Sequence, residues 1–143
     1  MKINRRKVVI TGVGVAAASL LPINLLAQSD GQSAEEIIKE FTGGANIGSG
    51  DIMLTTPEIA ENGNTVPISV DAPGAVAITI LAAGNPLPGV ATFNFGDGAG
   101  SQSATTRIRL AGTQDVIAVA KMADGSFAAV SKTVKVTIGG CGG

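Results

Sequence analysis

The chain has 143 residues, enough for one domain of ordinary size with its own core, and its apolar content comes from Ala, Val and Ile. It has no histidine and a single cysteine, which excludes Ser-His-Asp and Cys-His catalysis, His-containing metal sites and any thiolate cluster within one chain. Four of the ten cations (Lys2, Arg5, Arg6 and Lys7) precede all eleven acids, so beyond residue 27 six cations face eleven acids, and the resulting net charge of −5 makes nucleic acid and anionic membrane surfaces poor partners.

The first segment starts with a basic stretch, Met1 to Lys7, and runs through an apolar one from Val8 to Ala27, broken by Thr11, glycines, Ser19, Pro22 and Asn24. A basic start, an apolar middle and a small residue at Ala27 predict a signal peptide over residues 1–27, although Leu25 fits the cleavage pattern less well than alanine. Arg5-Arg6 followed by Val8-Val9 matches a twin-arginine signal, which exports folded protein; a general secretory signal is the alternative. Either route ends outside the cytoplasm, here expected to be the periplasm, where thiols meet an oxidising environment. With the signal removed, no membrane association is expected.

Residues 28–138 read as the domain. Ser33 with Glu36 three positions on forms a capping box; Ile37, Ile38 and Phe41 share one helical face, and Gly43-Gly44 closes the helix. Glu35, Lys39 and Glu40 make the solvated face. After Asp51 the period changes to two. An opening strand near Ile52 to Thr55 is followed by runs at Val66–Val70, Val76–Ile80, Val90–Phe95, Arg107–Leu110, Val116–Ala120 and Val130–Ile138. Turn residues separate them at Asp71-Ala72-Pro73-Gly74, Gly84-Asn85-Pro86, Gly96-Asp97-Gly98, Ala111-Gly112 and Asp124-Gly125, with Gly96-Asp97-Gly98 read as a hairpin turn. About seven strands at this spacing predict an all-β, immunoglobulin-like antiparallel β-sandwich preceded by one short N-terminal α-helix. Alternation places Ile108, Leu110, Val134, Val136 and Ile138 inside, and Arg107, Arg109, Lys135 and Thr137 outside. The two arginines read as a solvated face rather than an anion site.

The final strand runs into Gly139-Gly140-Cys141-Gly142-Gly143, the predicted flexible C-terminal arm of residues 139–143. Fully extended, five residues span at most about 17 Å. A frayed end is the bland reading of such a segment. Yet free cysteine is usually buried, and its retention is decided by reactivity rather than packing. Cys141 sits where glycine offers it no cover, which points to a working thiol suited to disulfide exchange, oxidation or carriage of a group through sulfur. Lacking an internal partner, it can also link two copies of the chain as a disulfide dimer.

Two resemblances bear on function. Phe93-Asn94-Phe95-Gly96-Asp97-Gly98 is similar to the aromatic-Asp-Phe-Gly-Asp-Gly signature of PKD-type adhesion modules, with Asn94 and Phe93 where those modules carry Asp and Trp. That implies an adhesive or structural module whose Cys141 forms a disulfide. More of the chain resembles SoxY, the sulfur-substrate carrier family of periplasmic thiosulfate oxidation. The shared features are the twin-arginine-like leader, the helix, the sandwich, the runs Arg107-Ile108-Arg109-Leu110-Ala111 and Val119 to Phe127, and the ending Val134 to Gly143.

The SoxY resemblance implies that thiosulfate is oxidatively joined to Cys141 as a cysteine S-thiosulfonate and carried among separate enzymes. It also implies a heterodimer with SoxZ and transient partners: the loading cytochrome SoxAX, the sulfate-releasing hydrolase SoxB and, where present, the sulfane dehydrogenase SoxCD. On this reading the chain has no catalytic residue, cofactor or metal of its own; Cys141 is the attachment point and Gly139, Gly140, Gly142 and Gly143 are its joints. A ubiquitin-like thiocarboxylate carrier loaded at Gly143 is a third reading, and it fits poorly with an export signal.

Overall fold

The computed structural model describes residues 31–137. The expectations for the signal segment with Arg5 and Arg6, for Ile138 and for the arm with Gly139, Gly140, Cys141, Gly142 and Gly143 lie outside the described residues. What is described is the expected sandwich, with one helix and two sheets.

Helix α1, Ala34–Thr42, starts at the capping box read from sequence. The Glu36 amide donates to Ser33 Oγ (3.2 Å), and the Ser33 amide donates to Glu36 Oε2 (2.8 Å). It ends at Gly43, whose left-handed φ of 64° is open to glycine at little cost, with the Gly44 amide donating to Lys39 O at 3.0 Å. Glu35, Lys39 and Glu40 are exposed, while Ile37, Ile38 and Phe41 are half-buried.

Nine strands follow: β1 (Ile47–Gly48), β2 (Met53–Thr55), β3 (Ile59–Ala60), β4 (Val66–Asp71), β5 (Ala75–Ala82), β6 (Gly89–Asn94), β7 (Ser103–Ile108), β8 (Gln114–Met122) and β9 (Phe127–Val136). The larger sheet has the order β1-β9-β8-β5-β6, with β3 also on β9; the smaller is β2-β4-β7. Their facing sides hold the core: Leu54, Val66, Ile68 and Val70 from the small sheet against Ile78, Ile80, Val116, Ala118 and Val134 from the large one. Residues of opposite parity on the large sheet, Leu81 and Val119 among them, are also fully buried. Helix α1 lies on that second face. Phe41 meets Phe127 edge-on with ring centroids 6.0 Å apart, and Ile37 Cδ1 reaches Gly89.

Three expectations change. The run expected at Arg107–Leu110 is the end of a strand that begins at Ser103 and pairs with β4 along its whole length, from Asp71↔Ser103 to Val66↔Ile108. Its first residues, Ser103, Ala104, Thr105 and Thr106, have β-branched threonines but lack the large alternating apolar side chains by which the other strands are read, and β4 supplies the pairing. Gly96-Asp97-Gly98 is not a hairpin turn, because β6 and β7 belong to different sheets and the segment crosses between them. Finally, the sandwich is not wholly antiparallel: β1 and β3, each two residues long, run parallel to β9 at its two ends. They cover the edge of β9 that faces away from β8.

Candidate functional site

Every site residue expected from sequence lies outside the described residues, so the site is approached from the strand that leads to it. β9 is ten residues long and is paired with β8 from Lys121↔Phe127 to Gln114↔Val134. Its last turns of alternation are as expected: Val134 is fully buried, Val136 half-buried, and Lys135 and Thr137 exposed. Cys141 stands four residues beyond Thr137.

The end of β9 is held on both sides. The Lys135 amide donates to Glu58 O and the Thr137 amide to Ala60 O, each at 3.0 Å, through β3. Between them the Val136 amide points the other way and donates to Thr113 Oγ1, also at 3.0 Å. Thr113 stands just before β8, so a side chain continues the ladder that the backbone of β8 no longer supplies. The connection carrying β3 is itself fixed. The Leu110 amide donates to Gly63 O at 2.7 Å, and a Cβ placed on Gly63 would lie 2.5 Å from Leu110 O and 2.9 Å from Val136 Cγ1. Only glycine allows the backbone this close.

The same end of the sandwich collects the segments after β5 and after β7. There Asn85 bridges the two sheets: its Nδ2 donates to Arg109 O at 2.8 Å, and its Oδ1 accepts from the Ala111 amide at 2.9 Å and from Gln114 Nε2 at 2.8 Å. Gln114 is buried and fully used, since its Oε1 also accepts from the Gly84 amide at 2.8 Å. No buried side-chain nitrogen or oxygen among the described residues lacks a partner, so this polar cluster stiffens the end without an unmet hydrogen bond. Beside it lies an open depression of about 350 Å³ lined by Asn85, Pro86, Leu87, Arg109 and Ala111.

Arg107 and Arg109 are both exposed, as expected of an outer face, and Arg109 also lines the depression. Among the described residues no group of three or more His, Cys, Asp or Glu side chains comes together. The sequence reading missed the contacts made by Glu58, Ala60, Gly63, Thr113 and Asn85 at this end. Asn62-Gly63-Asn64 and Gly84-Asn85-Pro86 announce turns; nothing in them announces what the turns touch.

Chemically, this end presents a strand terminus hydrogen-bonded on both sides, next to a shallow depression lined by an arginine, an asparagine and three apolar residues.

A protein-family comparison matches residues 38–141 to the family described as sulfur oxidation protein SoxY, so the last matched position is that of Cys141. Among solved structures the chain is similar to the sulfur carrier protein SoxY from Chlorobium limicola f thiosulfatophilum, with 33% identity and a TM-score of 0.64 over 73% of this chain and 96% of that one. It is also similar to a superoxide reductase (neelaredoxin) from Ignicoccus hospitalis, at 14% identity and a TM-score of 0.54 over 75% of this chain and 95% of that one. A putative superoxide reductase from Thermotoga maritima matches at 18% identity and a TM-score of 0.53, over 64% and 94% of the two chains. At those identities the reductases show a shared sandwich and nothing about chemistry. Among curated proteins nothing matches the chain. With a family match across most of its length and a SoxY structure one-third identical to it, the chain belongs to the SoxY family of sulfur oxidation proteins.

Proposed function

We propose that the protein is a sulfur carrier of the Sox system and that its cargo is bound covalently to the sulfur of Cys141. The observation that carries this reading is the family match, which runs through position 141 and so takes in the chain's one cysteine. The loading step joins the thiol to the outer sulfur of thiosulfate. The thiol proton and two electrons leave, an S–S bond forms, and the product is a cysteine S-thiosulfonate. SoxAX takes the electrons. SoxB then adds water across the sulfur–sulfonate bond, releasing sulfate and leaving a cysteine persulfide.

The division of labour follows from what the chain carries. An ordinary thiol has a pKa near 8.5, so only a few per cent is thiolate at neutral pH, and the chain has no histidine to act as its base. Activation therefore belongs to the partner enzyme, and the carrier alone has no turnover. Glycines 139, 140, 142 and 143 give the thiol a slim approach that fits unlike active sites. SoxZ is the stable partner, SoxAX, SoxB and SoxCD the transient ones, and the periplasm is the compartment in which they meet. No helix among the described residues is long and apolar enough to cross a membrane.

The test is intact-mass analysis of native protein purified without reductant. Reducible sulfur adducts on the mature chain, absent in Cys141→Ser with folding unchanged, are the expected result. A disulfide dimer as the sole modified form, or a modified Gly143 carboxylate, would replace the carrier reading with one of its rivals.

A further inference from the structure

An asparagine side chain is chemically labile when the next backbone nitrogen can reach its amide carbon, so the residue that follows decides its fate. Among the described residues asparagine occurs five times. Asn46 and Asn64 precede the β-branched Ile47 and Thr65, whose side chains crowd the nitrogen. Asn85 precedes Pro86, which has no N–H to lose, and its own amide is committed to Arg109, Ala111 and Gln114. Asn94 precedes Phe95, whose amide is tied to Val76 O at 2.9 Å. Asn62 alone among them is followed by glycine. It is exposed, and the Gly63 amide donates to no acceptor among the described residues.

Two features of the fold favour attack on Asn62. The Asn64 amide donates to Asn62 Oδ1 at 3.0 Å, the atom on which negative charge develops as the side-chain carbon is attacked, so this bond strengthens as the reaction proceeds. Glycine is also obligatory at 63: a Cβ there would lie 2.5 Å from Leu110 O and 2.9 Å from Val136 Cγ1, so the packing forbids the side chain that would shield the nitrogen. We propose that Asn62 is a site of spontaneous deamidation in the folded protein, and that its conversion loosens the contact between Gly63 and Leu110. The deprotonated Gly63 nitrogen bonds to Asn62 Cγ, the Cγ–Nδ2 bond breaks, and the leaving nitrogen takes a proton from water and departs as ammonia, which leaves a cyclic imide. Water then adds to one imide carbonyl and opens the ring; the net change is water in and ammonia out, with no electrons transferred. Opening at one carbonyl gives aspartate. Opening at the other gives isoaspartate, which routes the backbone through the former side chain and lengthens it by one methylene. Gly63 O accepts from the Leu110 amide at 2.7 Å in a site with no slack, so the longer backbone disrupts that bond, and the new carboxylate stands beside Glu61.

The test incubates the folded full chain at neutral and mildly alkaline pH and digests it in acid, where the reaction stops. Mass spectrometry with fragmentation locates the mass gained when an amide becomes an acid, and labelling with an isoaspartyl methyltransferase reports isoaspartate. The expected result is conversion at Asn62 about tenfold or more faster than at Asn64 or Asn94, a modest difference in barrier. The rate rises with pH, because the attacking nitrogen is deprotonated, and isoaspartate is among the products. In the converted protein the Leu110 amide exchanges hydrogen about fivefold faster or more, the factor of one hydrogen bond. Asn62→Gln keeps an amide but must close a larger ring; it stays unconverted over the same incubation and exchanges as the parent does. Three outcomes overturn the proposal: no conversion at Asn62 unless the chain is first unfolded in urea, conversion no faster than at Asn64 and Asn94, or conversion with Leu110 exchange unmoved. None of these measurements involves Cys141, so each outcome leaves the carrier reading where it stood.

Discussion

Asp124 shows how much a fully exposed residue can owe to one neighbour. The Ser126 hydroxyl donates to Asp124 Oδ1 at 2.6 Å and the Ser126 amide at 2.9 Å, and these two bonds, the hydroxyl first, hold the carboxyl below its ordinary value. A depressed carboxylate pKa stabilises the fold at pH values above the ordinary one, and that contribution is lost as pH falls through the depressed value. Ser126→Ala removes the hydroxyl and keeps the amide. The Asp124 titration should therefore move up toward the ordinary carboxylate range, by less than its full displacement, as followed by NMR of the side-chain carboxyl carbon. The turn at Asp124-Gly125 was legible as a turn, and the bonds its carboxylate accepts come from Ser126, two residues on within that turn. Asn85 differs: its neighbours in sequence say loop, and its partners, Arg109, Ala111 and Gln114, come from another part of the chain.

Elements differed in how openly the sequence declared them. Helix α1 was readable to its caps, because a capping box and a glycine stop are local chemistry. Ser33→Ala should cost about 1 kcal/mol of stability, measured by urea denaturation, with the sandwich otherwise intact. Strands β4, β5, β6, β8 and β9 were readable from alternating or continuous apolar runs. The start of β7 was not, and neither were β1 and β3, since two residues carry no period and become strands only against an edge already in place. Gly96-Asp97-Gly98, read as a hairpin turn, lies instead on a crossover between sheets, which only the pairing of β6 and β7 with different neighbours reveals.

At the scale of the whole molecule, the described part ends on a paired strand: Thr137 N–H donates to Ala60 O, and the core residue nearest that end of β9 is Val134. Truncation after Thr137 should leave the midpoint of thermal unfolding of the mature chain within about 2 °C of the parent. Truncation after Val134 removes three clamped amides and should lower it by about 5 °C or more, each degree reflecting a fraction of a kcal/mol for a domain of this size. Both truncations remove Cys141, so on the proposed carrier reading neither should load sulfur.

The sequence by itself determined the fold class, the helix and its caps, most strand interiors, the inward facing of Ile108, Leu110 and Val134, and the single thiol on which any thiol chemistry must fall. These are local or periodic properties, written in side chains a few positions apart. Tertiary structure decided the rest: which strands share a sheet, that two short segments run parallel to β9, that the chain passes from sheet to sheet at Gly96-Asp97-Gly98, and that the segment from β3 to Gly63 bonds both the end of β9 and Leu110. Those depend on contacts between residues far apart in the chain, such as Gly63 with Leu110 and Thr113 with Val136, whose partners are chosen by the packing of two sheets and leave no mark on the residues beside them.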